Sequence, residues 1–248
     1  MINLSTVKKN KTVAIGGKNL ISKPLGSLLF FIYNLVDNYA IAIILFTVIV
    51  KVVLLPLTLN QLKQTKDMQK LQPELKKLQN KYKNDKETLN VKTMELYKEY
   101  KINPLGGCLP LLIQMPILFG LFGALRNPVE YVFQNNAELA AKATSASFLW
   151  LSNLVDPDVF MVGNFAVPGI LPIIAAASTY LSMNTMNTAN QGDQPQAMKT
   201  MNMILPLMIL MWGRSFPAGL TLYWVISNLF QMAQQYFLPK GDVLKEEK

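Results

Sequence analysis

A single lysine, Lys51, lies within an otherwise apolar segment, residues 39–59 (YAIAIILFTVIVKVVLLPLTL), that is long enough to cross a lipid bilayer. A charge near the centre of a spanning helix costs about 2.5–3.5 kcal/mol on insertion scales, so it usually faces a water-filled cavity or an ion-pair partner. Every Asp and Glu lies outside the apolar segments. We predict that Lys51 faces a hydrated pocket that attracts negative groups; the alternative is that its side chain snorkels to the membrane surface.

Polar residues in three other apolar segments lie at about the same depth as Lys51. In the last segment, polar side chains and a tryptophan recur every three or four positions, as on one face of a helix. These residues could simply hydrogen-bond neighbouring helices. Because they share the depth of an unpaired lysine, we predict instead that they hydrate one groove. The predicted groove residues are Lys51, Thr47, Gln114, Ser178, Trp224 and Asn228.

Several classes of chemistry are excluded by missing residue types. The chain has no histidine, so it cannot form a Ser-His-Asp triad or an H-E-x-x-H zinc site. It contains neither G-x-x-x-x-G-K-[ST] nor G-x-G-x-x-G, the usual nucleotide-binding motifs. The one cysteine, Cys108, cannot form an internal disulfide. We predict a protein that is not an enzyme, with no catalytic residues, no metal and no cofactor.

The composition is that of an integral membrane protein. Hydrophobic residues make up 51% of the chain and charged residues 16%, and the apolar residues occur in blocks. The net charge of +9 would suggest nucleic acid in a soluble protein. Here the lysines are distributed unequally between the two sides of the membrane. This indicates that they contact lipid headgroups and set the orientation of the chain in the membrane. We predict the lipid bilayer as a partner and no direct nucleic-acid function.

The predicted fold is an all-α integral membrane protein with five transmembrane helices, a cytoplasmic helical hairpin and an interfacial N-terminal amphipathic helix. Prolines and polar linkers divide the chain into these parts. The predicted parts are a basic tail (1–23), the interfacial helix (24–38), the spans (39–59, 104–126, 168–185, 198–212 and 217–238), the hairpin (60–103), an extracellular loop (127–167), a cytoplasmic loop (186–197) and a cytoplasmic tail (239–248).

The hairpin prediction depends on charge and periodicity. Residues 60–103 contain eleven lysines and six acidic residues, and leucines and tyrosines recur at helical spacing on two separate stripes. Asn84-Asp85 provides the turn between two antiparallel arms, and Pro73 starts or kinks the first arm. Because lysine-rich short loops stay in the cytoplasm, the hairpin places the N-terminus outside and the C-terminus inside. The five lysines of the N-terminal tail argue against this orientation.

Three segments carry a resemblance to a known family. They are VIVKVVLLPLT (48–58), NPLGGCLPLLIQMPILFGLF (103–122) and FPAGLTLYWVISNLFQMAQQY (216–236). They closely resemble the YidC/Oxa1/Alb3 membrane protein insertases, in particular the short Gram-positive YidC form. The family usually has arginine at the position of Lys51. Lysine keeps the charge but lacks the planar fork of five donors.

The resemblance implies a function in the bacterial plasma membrane. It implies a hydrophilic groove that is open to the cytoplasm and to lipid and that receives the polar parts of nascent membrane protein clients without nucleotide hydrolysis. The ribosome and the Sec translocon are further candidate partners. Two other classes stay open: a small-solute transporter or channel, which would also suit an intramembrane cation, and a structural membrane scaffold, which would tolerate neutral residues at position 51.

Overall fold

The computed structural model describes residues 4–100, 102, 109–187 and 196–237. Within these residues the fold is almost entirely helical, as the predicted all-α class requires. It also contains one short antiparallel strand pair that was not predicted, β1 (Val159–Val162) and β2 (Phe165–Pro168). The described helices are α1 (Leu4–Val36), α2 (Tyr39–Val53), α3 (Leu55–Lys70), α4 (Gln72–Lys81), α5 (Lys86–Glu99), α6 (Leu109–Arg126), α7 (Pro128–Tyr131), α8 (Ala137–Thr144), α9 (Ile170–Asn187), α10 (Gln196–Gly213) and α11 (Ala218–Phe237).

Helix α1 differs from the predicted interfacial helix of residues 24–38. It begins at Leu4, and Pro24 lies inside it rather than at its start. Proline in a helix interior removes one backbone hydrogen bond. Here contacts on both sides of Pro24 hold the helix, since Gly120 on α6 packs on Ile21 and the backbone of α7 packs on Gly26. Helix α1 therefore contributes a face to the protein core.

The first predicted span, residues 39–59, is bent rather than straight. Helix α2 ends at Val53, and its axis makes an angle of 63° with that of Leu55–Gln64 in α3. Pro56 explains the bend, because proline has no N–H to donate to the Val52 carbonyl and its ring crowds that carbonyl. No single helix in the described ranges has the length and apolarity to cross a membrane, whereas this bent pair passes that test as one unit.

Helices α4 and α5 form a hairpin beyond α3 and pack on each other. Pro73 lies in the first turn of α4, and the Tyr100 hydroxyl donates to Glu74 Oε1 at 2.9 Å, which joins the two open ends. At the turn, the Asp85 carboxylate accepts the Thr88 N–H. Hydrogen bonds from Thr88, chiefly from its side chain, hold the pKa of Asp85 below its usual value. Among the hairpin residues with described side chains, Leu75 alone is fully buried within these two helices.

The bundle that carries the core consists of α1, α2, α6, α9, α10 and α11. Helix α9 lies between α10 and α11, and α1 packs along α6. Small residues allow these close approaches. A Cβ atom placed on Gly123 of α6 would lie 2.7 Å from Ser22 Oγ of α1, and one on Gly219 of α11 would lie 2.9 Å from the Ile43 side chain.

Residues 128–168, which overlap the predicted extracellular loop of residues 127–167, fold into a compact unit that we call the cap. It contains α7, α8 and the strand pair, and it buries Val132, Phe133 and Leu154. Sequence reasoning missed this unit because its elements are too short to produce a clear period. The cap lies at the end of the bundle where α9 and α11 begin, the cap end; the opposite end, where α3 leads to α4, is the hairpin end.

The cap accepts hydrogen bonds from the first turns of two helices of the bundle. The Ala218 and Gly219 N–H groups of α11 donate to the carbonyls of Asp156 and Leu154, each at 2.9 Å. The Asp158 carboxylate accepts the Leu171 N–H of α9 at 2.6 Å. These groups supply partners for N–H groups that no helix can satisfy internally.

The remaining predicted spans overlap α6, α9, α10 and α11. Several predictions fall partly or wholly outside the described residues. They are the tail of residues 239–248, most of the 186–197 loop, the start of the 104–126 span, and Cys108.

Candidate functional site

A cavity of about 200 Å³, lined by both polar and apolar side chains, lies inside the bundle, toward its hairpin end. Helix α11 supplies its longest wall, from Trp224 to Gln235, while the turns of α11 from Ala218 to Tyr223 are buried. The cavity is therefore closed on the cap side. Its lining residues are Lys51, Leu54, Thr58, Gln61, Leu62, Gln114, Thr179, Ser182, Met183, Leu205, Trp224, Ser227, Asn228, Gln231, Gln234 and Gln235.

Among the described residues that line the cavity, Lys51 is the only charged one. It lies in the last turn of α2, immediately before the bend at Leu54, and its exposed fraction is 8%. Within the described part of the chain, Lys51 makes no ion pair with a carboxylate. Beyond the bend, Thr58, Gln61 and Leu62 of α3 line the same cavity as Lys51. The cavity thus presents one cation and no compensating acid.

Asn228 connects α11 to α9 across the cavity wall. Its side-chain amide donates to Ser178 Oγ at 3.0 Å and to Thr179 Oγ1 at 2.9 Å. The Trp224 indole N–H also donates to Thr179 Oγ1, at 3.0 Å. Four polar side chains from two helices therefore form one hydrogen-bonded group, in which three of them are less than one-tenth exposed.

Glutamines hold the other walls of the cavity. The Gln114 amide of α6 donates to the buried hydroxyl of Tyr223. Nearer the hairpin end, the Gln234 amide donates to Thr58 Oγ1 of α3 at 3.1 Å. Because amides and hydroxyls both donate and accept, this lining can exchange hydrogen bonds with water or with a peptide backbone.

Four of the six predicted groove residues line the same cavity: Lys51, Gln114, Trp224 and Asn228. Ser178 lies directly behind them and accepts a hydrogen bond from Asn228. Thr47 is not among the lining residues. It is fully buried, and its hydroxyl donates to the Ile43 carbonyl of its own helix at 2.7 Å.

Sequence reasoning did not single out Thr179, Ser182, Thr58, Gln61 and Gln234, which also line the cavity. A signal for two of them existed, because Thr179 and Ser182 are spaced by three residues from each other and lie beside the predicted Ser178. Thr58 and Gln61 follow the bend at Leu54, and a straight first helix would have placed them elsewhere.

The described residues contain no group of three or more His, Cys, Asp or Glu side chains that could hold a metal ion. Among the described residues, those that line the cavity include no carboxylate and no thiol. With one lysine and neutral amides and hydroxyls, the arrangement can attract, hydrate and orient a polar segment.

The comparison with protein families decides which family this fold represents. The family model described as 60Kd inner membrane protein matches residues 31–246. The chain belongs to this family, the YidC/Oxa1 proteins. Membership places the chain among proteins of the bacterial inner membrane.

Individual relatives agree with the family match. The chain is 44% identical over 222 residues to the membrane protein insertase YidC of Fusobacterium nucleatum, covering 90% of this chain and 96% of that protein. It is 43% identical over 225 residues to the YidC of Clostridium perfringens, covering 88% and 86%.

Longer relatives exist as well. The chain spans 42% of the YidC of Nitratidesulfovibrio vulgaris, with 37% identity over 238 residues and 96% of this chain covered. A solved structure described as an active YidC insertase with its first transmembrane domain resolved superposes with a TM-score of 0.64 at 28% identity. That superposition covers 89% of this chain and 47% of the solved chain.

Proposed function

We propose that this chain is a membrane protein insertase that receives nascent membrane proteins at the hairpin end and passes them into the bilayer without hydrolysing nucleotide. The observation that carries the proposal is the placement of Lys51, a buried cation without an acidic partner, in a cavity lined by amides and hydroxyls. Relatives named as insertases support it. The proposal includes five spans, with the hairpin and the C-terminus in the cytoplasm.

In this proposal the cavity lowers the cost of bringing a polar segment to the middle of the membrane. Lys51 attracts an acidic segment, and the amides of Gln114 and Asn228 replace part of its hydration. The free energy for the step comes from the apolar helix of the client, at about 0.8 kcal/mol for each CH₂ group that lipid buries. The membrane potential adds about 2.3 kcal/mol for each acidic charge moved outward across 100 mV.

The hairpin of α4 and α5 would then make the first contact with clients. Its arms expose Val91 and Met94 beside many lysines, so it offers both apolar and cationic surface to a new chain. The ribosome and the Sec translocon are proposed as additional partners on this side.

A charge series at position 51 tests the proposal. Proteoliposomes with equal amounts of each variant receive a single-span client whose tail is acidic, and insertion is measured by protection of the tail from protease. We expect Lys51→Arg to keep insertion, Lys51→Ala to reduce it and Lys51→Glu to reduce it most, because the order follows the attraction between the two charges. Lys63→Ala is the matched control, since Lys63 is exposed on α3.

Two comparisons make the series decisive. A second client with Asn and Gln in place of its tail acids should respond less to the charge at position 51. Equal insertion of the acidic client by the wild type and by Lys51→Ala would contradict the proposed attraction. Solute flux through the same proteoliposomes without client insertion would favour the transporter class instead.

A further inference from the structure

The strand pair of the cap has one face that is entirely apolar. Its register pairs Phe160 with Val167 and Val162 with Phe165, and directly paired residues share a face of an antiparallel pair. All four side chains are exposed, from 36% for Val167 to 78% for Phe165. Gly163, with φ of +62°, forms the turn between the strands.

The opposite face fixes the strand pair against the bundle. Val159, Ala166 and Pro168 on that face are half-buried, whereas Met161 next to the turn is 66% exposed, and β2 packs on both α9 and α10. The exposed face is therefore held in one orientation by the contacts behind it.

This apolar face lacks the features that protect exposed strands in water. Soluble proteins place charged residues, above all lysine, on unpaired strand edges to prevent association. Residues 159–168 contain no charged residue, and both outer edges of the two-stranded sheet are unpaired among the described residues. Such a surface needs an apolar partner.

The surface is continuous with helix faces that a membrane protein turns toward lipid. Helix α9 exposes Ile170 and Ile173 directly after β2, and α10 exposes Trp212 at the same end of the bundle. Trp150 extends the surface in the cap, and its indole N–H donates to Asp158 at 3.2 Å. Tryptophans with an apolar body and a hydrogen-bonded N–H are typical of the zone between acyl chains and headgroups.

We propose that the face formed by Phe160, Val162, Phe165 and Val167 lies in the bilayer, at the boundary between headgroups and acyl chains in the leaflet at the cap end. The partner is lipid because the face continues the exposed surfaces of α9 and α10 and carries no charge that would select a protein. The cap thus holds the ends of α9 and α10 at a fixed depth. This inference rests on the membrane location of the family and does not depend on insertase activity.

Lipid photolabelling of the wild-type protein tests the inference without a mutation. Proteoliposomes contain phosphatidylcholine and phosphatidylglycerol, including a phosphatidylcholine with a diazirine near the headgroup end of one acyl chain. After irradiation, mass spectrometry locates the labelled residues. We expect label on residues 159–168 and on α9 around Ile173, which is the internal positive control. Label on α9 together with none on residues 159–168 would overturn the inference.

A fluorescence measurement adds a matched control in the cap. Val162→Cys and Lys142→Cys, each in a chain with Ser at position 108, carry the same environment-sensitive fluorophore. We expect the label at position 162 to emit at shorter wavelength and to lose its emission with lipids that carry a shallow nitroxide. The label at exposed Lys142 should respond to aqueous iodide instead. Iodide quenching of both labels would overturn the inference, and so would cross-linking of position 162 between two copies. Neither measurement uses a client, so a failure here is separate from a failure of the proposed function.

Discussion

Thr47 and Thr179 are both buried threonines beside the cavity region, but their hydroxyls have different neighbours. Both hydroxyls donate to the carbonyl four residues earlier in their own helices, but Thr179 also accepts hydrogen bonds from Trp224 and Asn228 at the cavity wall. A short hydroxyl in a helix interior often returns to the carbonyl four residues earlier. The depth of a residue therefore does not establish that it takes part in the groove.

Replacement of each threonine by valine should separate the two roles. We expect Thr47→Val to insert clients at the wild-type rate, with a change of about 1 kcal/mol or less in the free energy of unfolding. Thr179→Val should reduce insertion, because two donors of α11 lose their acceptor inside the protein. Protease protection of an inserted client is the measurement. A strong loss of insertion by Thr47→Val, with the variant protein present at normal abundance, would show that Thr47 takes part in the groove.

Asn228 links α11 to α9, so its removal should weaken the bundle as well as the cavity wall. Each hydrogen bond between membrane helices contributes about 0.6 kcal/mol, so we expect Asn228→Ala to lower the free energy of unfolding by about 1 kcal/mol. Detergent-induced unfolding followed by circular dichroism gives the value. Leu229→Ala, at an exposed position on the same helix, is the control for shortening a side chain. Equal losses in the two variants would contradict the role of Asn228 as a link.

At the scale of elements, the close approach between helices depends on glycine. A Cβ atom on Gly26 of α1 would lie 2.0 Å from the Tyr131 carbonyl oxygen of α7, and a backbone atom cannot move away cheaply. A Cβ atom on Gly123 would meet the Ser22 hydroxyl instead, and that side chain can rotate. The backbone group that faces Gly26 therefore cannot move aside, whereas the side chain that faces Gly123 can.

We expect Gly26→Ala to cost about 1–3 kcal/mol of stability through overpacking, and Gly123→Ala to cost clearly less. The measurement is the detergent concentration at which each variant loses half of its helical signal. Helix propensity alone would favour alanine at both positions, so a stabilised Gly26→Ala would show that α1 and α7 do not pack closely.

The helices that the sequence indicated differ for a physical reason from the elements that it missed. Long apolar segments such as α6 and α11 can be recognised from their composition. Lys51 and Asn228 could be placed in one region of the bundle from their depth along the predicted spans. Pro56 could have predicted the bend at Leu54, but the strongly apolar sequence on both sides of it favoured one continuous span. The cap depends on contacts between short elements, such as Asp158 with Leu171, that no local pattern contains.

At the scale of the whole molecule, the hairpin and the bundle are largely separate. Helices α4 and α5 pack mainly on each other, and the hydrogen bond between Tyr100 and Glu74 brings the open ends of the hairpin together. Replacement of residues 72–99 by a short flexible linker should therefore leave the bundle folded and remove client capture.

Shortening of the turn at Asn84-Asp85 is the matched variant, and it should keep most insertion because few contacts cross a turn. Circular dichroism and resistance of the bundle to protease report on folding, while client protection reports on function. Full insertion activity after complete replacement of the hairpin would show that the bundle alone captures clients.

The position of α11 after α2, α6 and α9 in the chain has a consequence for the order in which the molecule is made. The wall from Trp224 to Gln235 is synthesised after these helices, so the cavity does not exist while α2, α6 and α9 are already complete. The carbonyls of Leu154 and Asp156, which hold the first turn of α11, have by then been synthesised. In the proposed function, the protein therefore brings one polar-faced helix into place beside Lys51 before it can offer that place to any other chain.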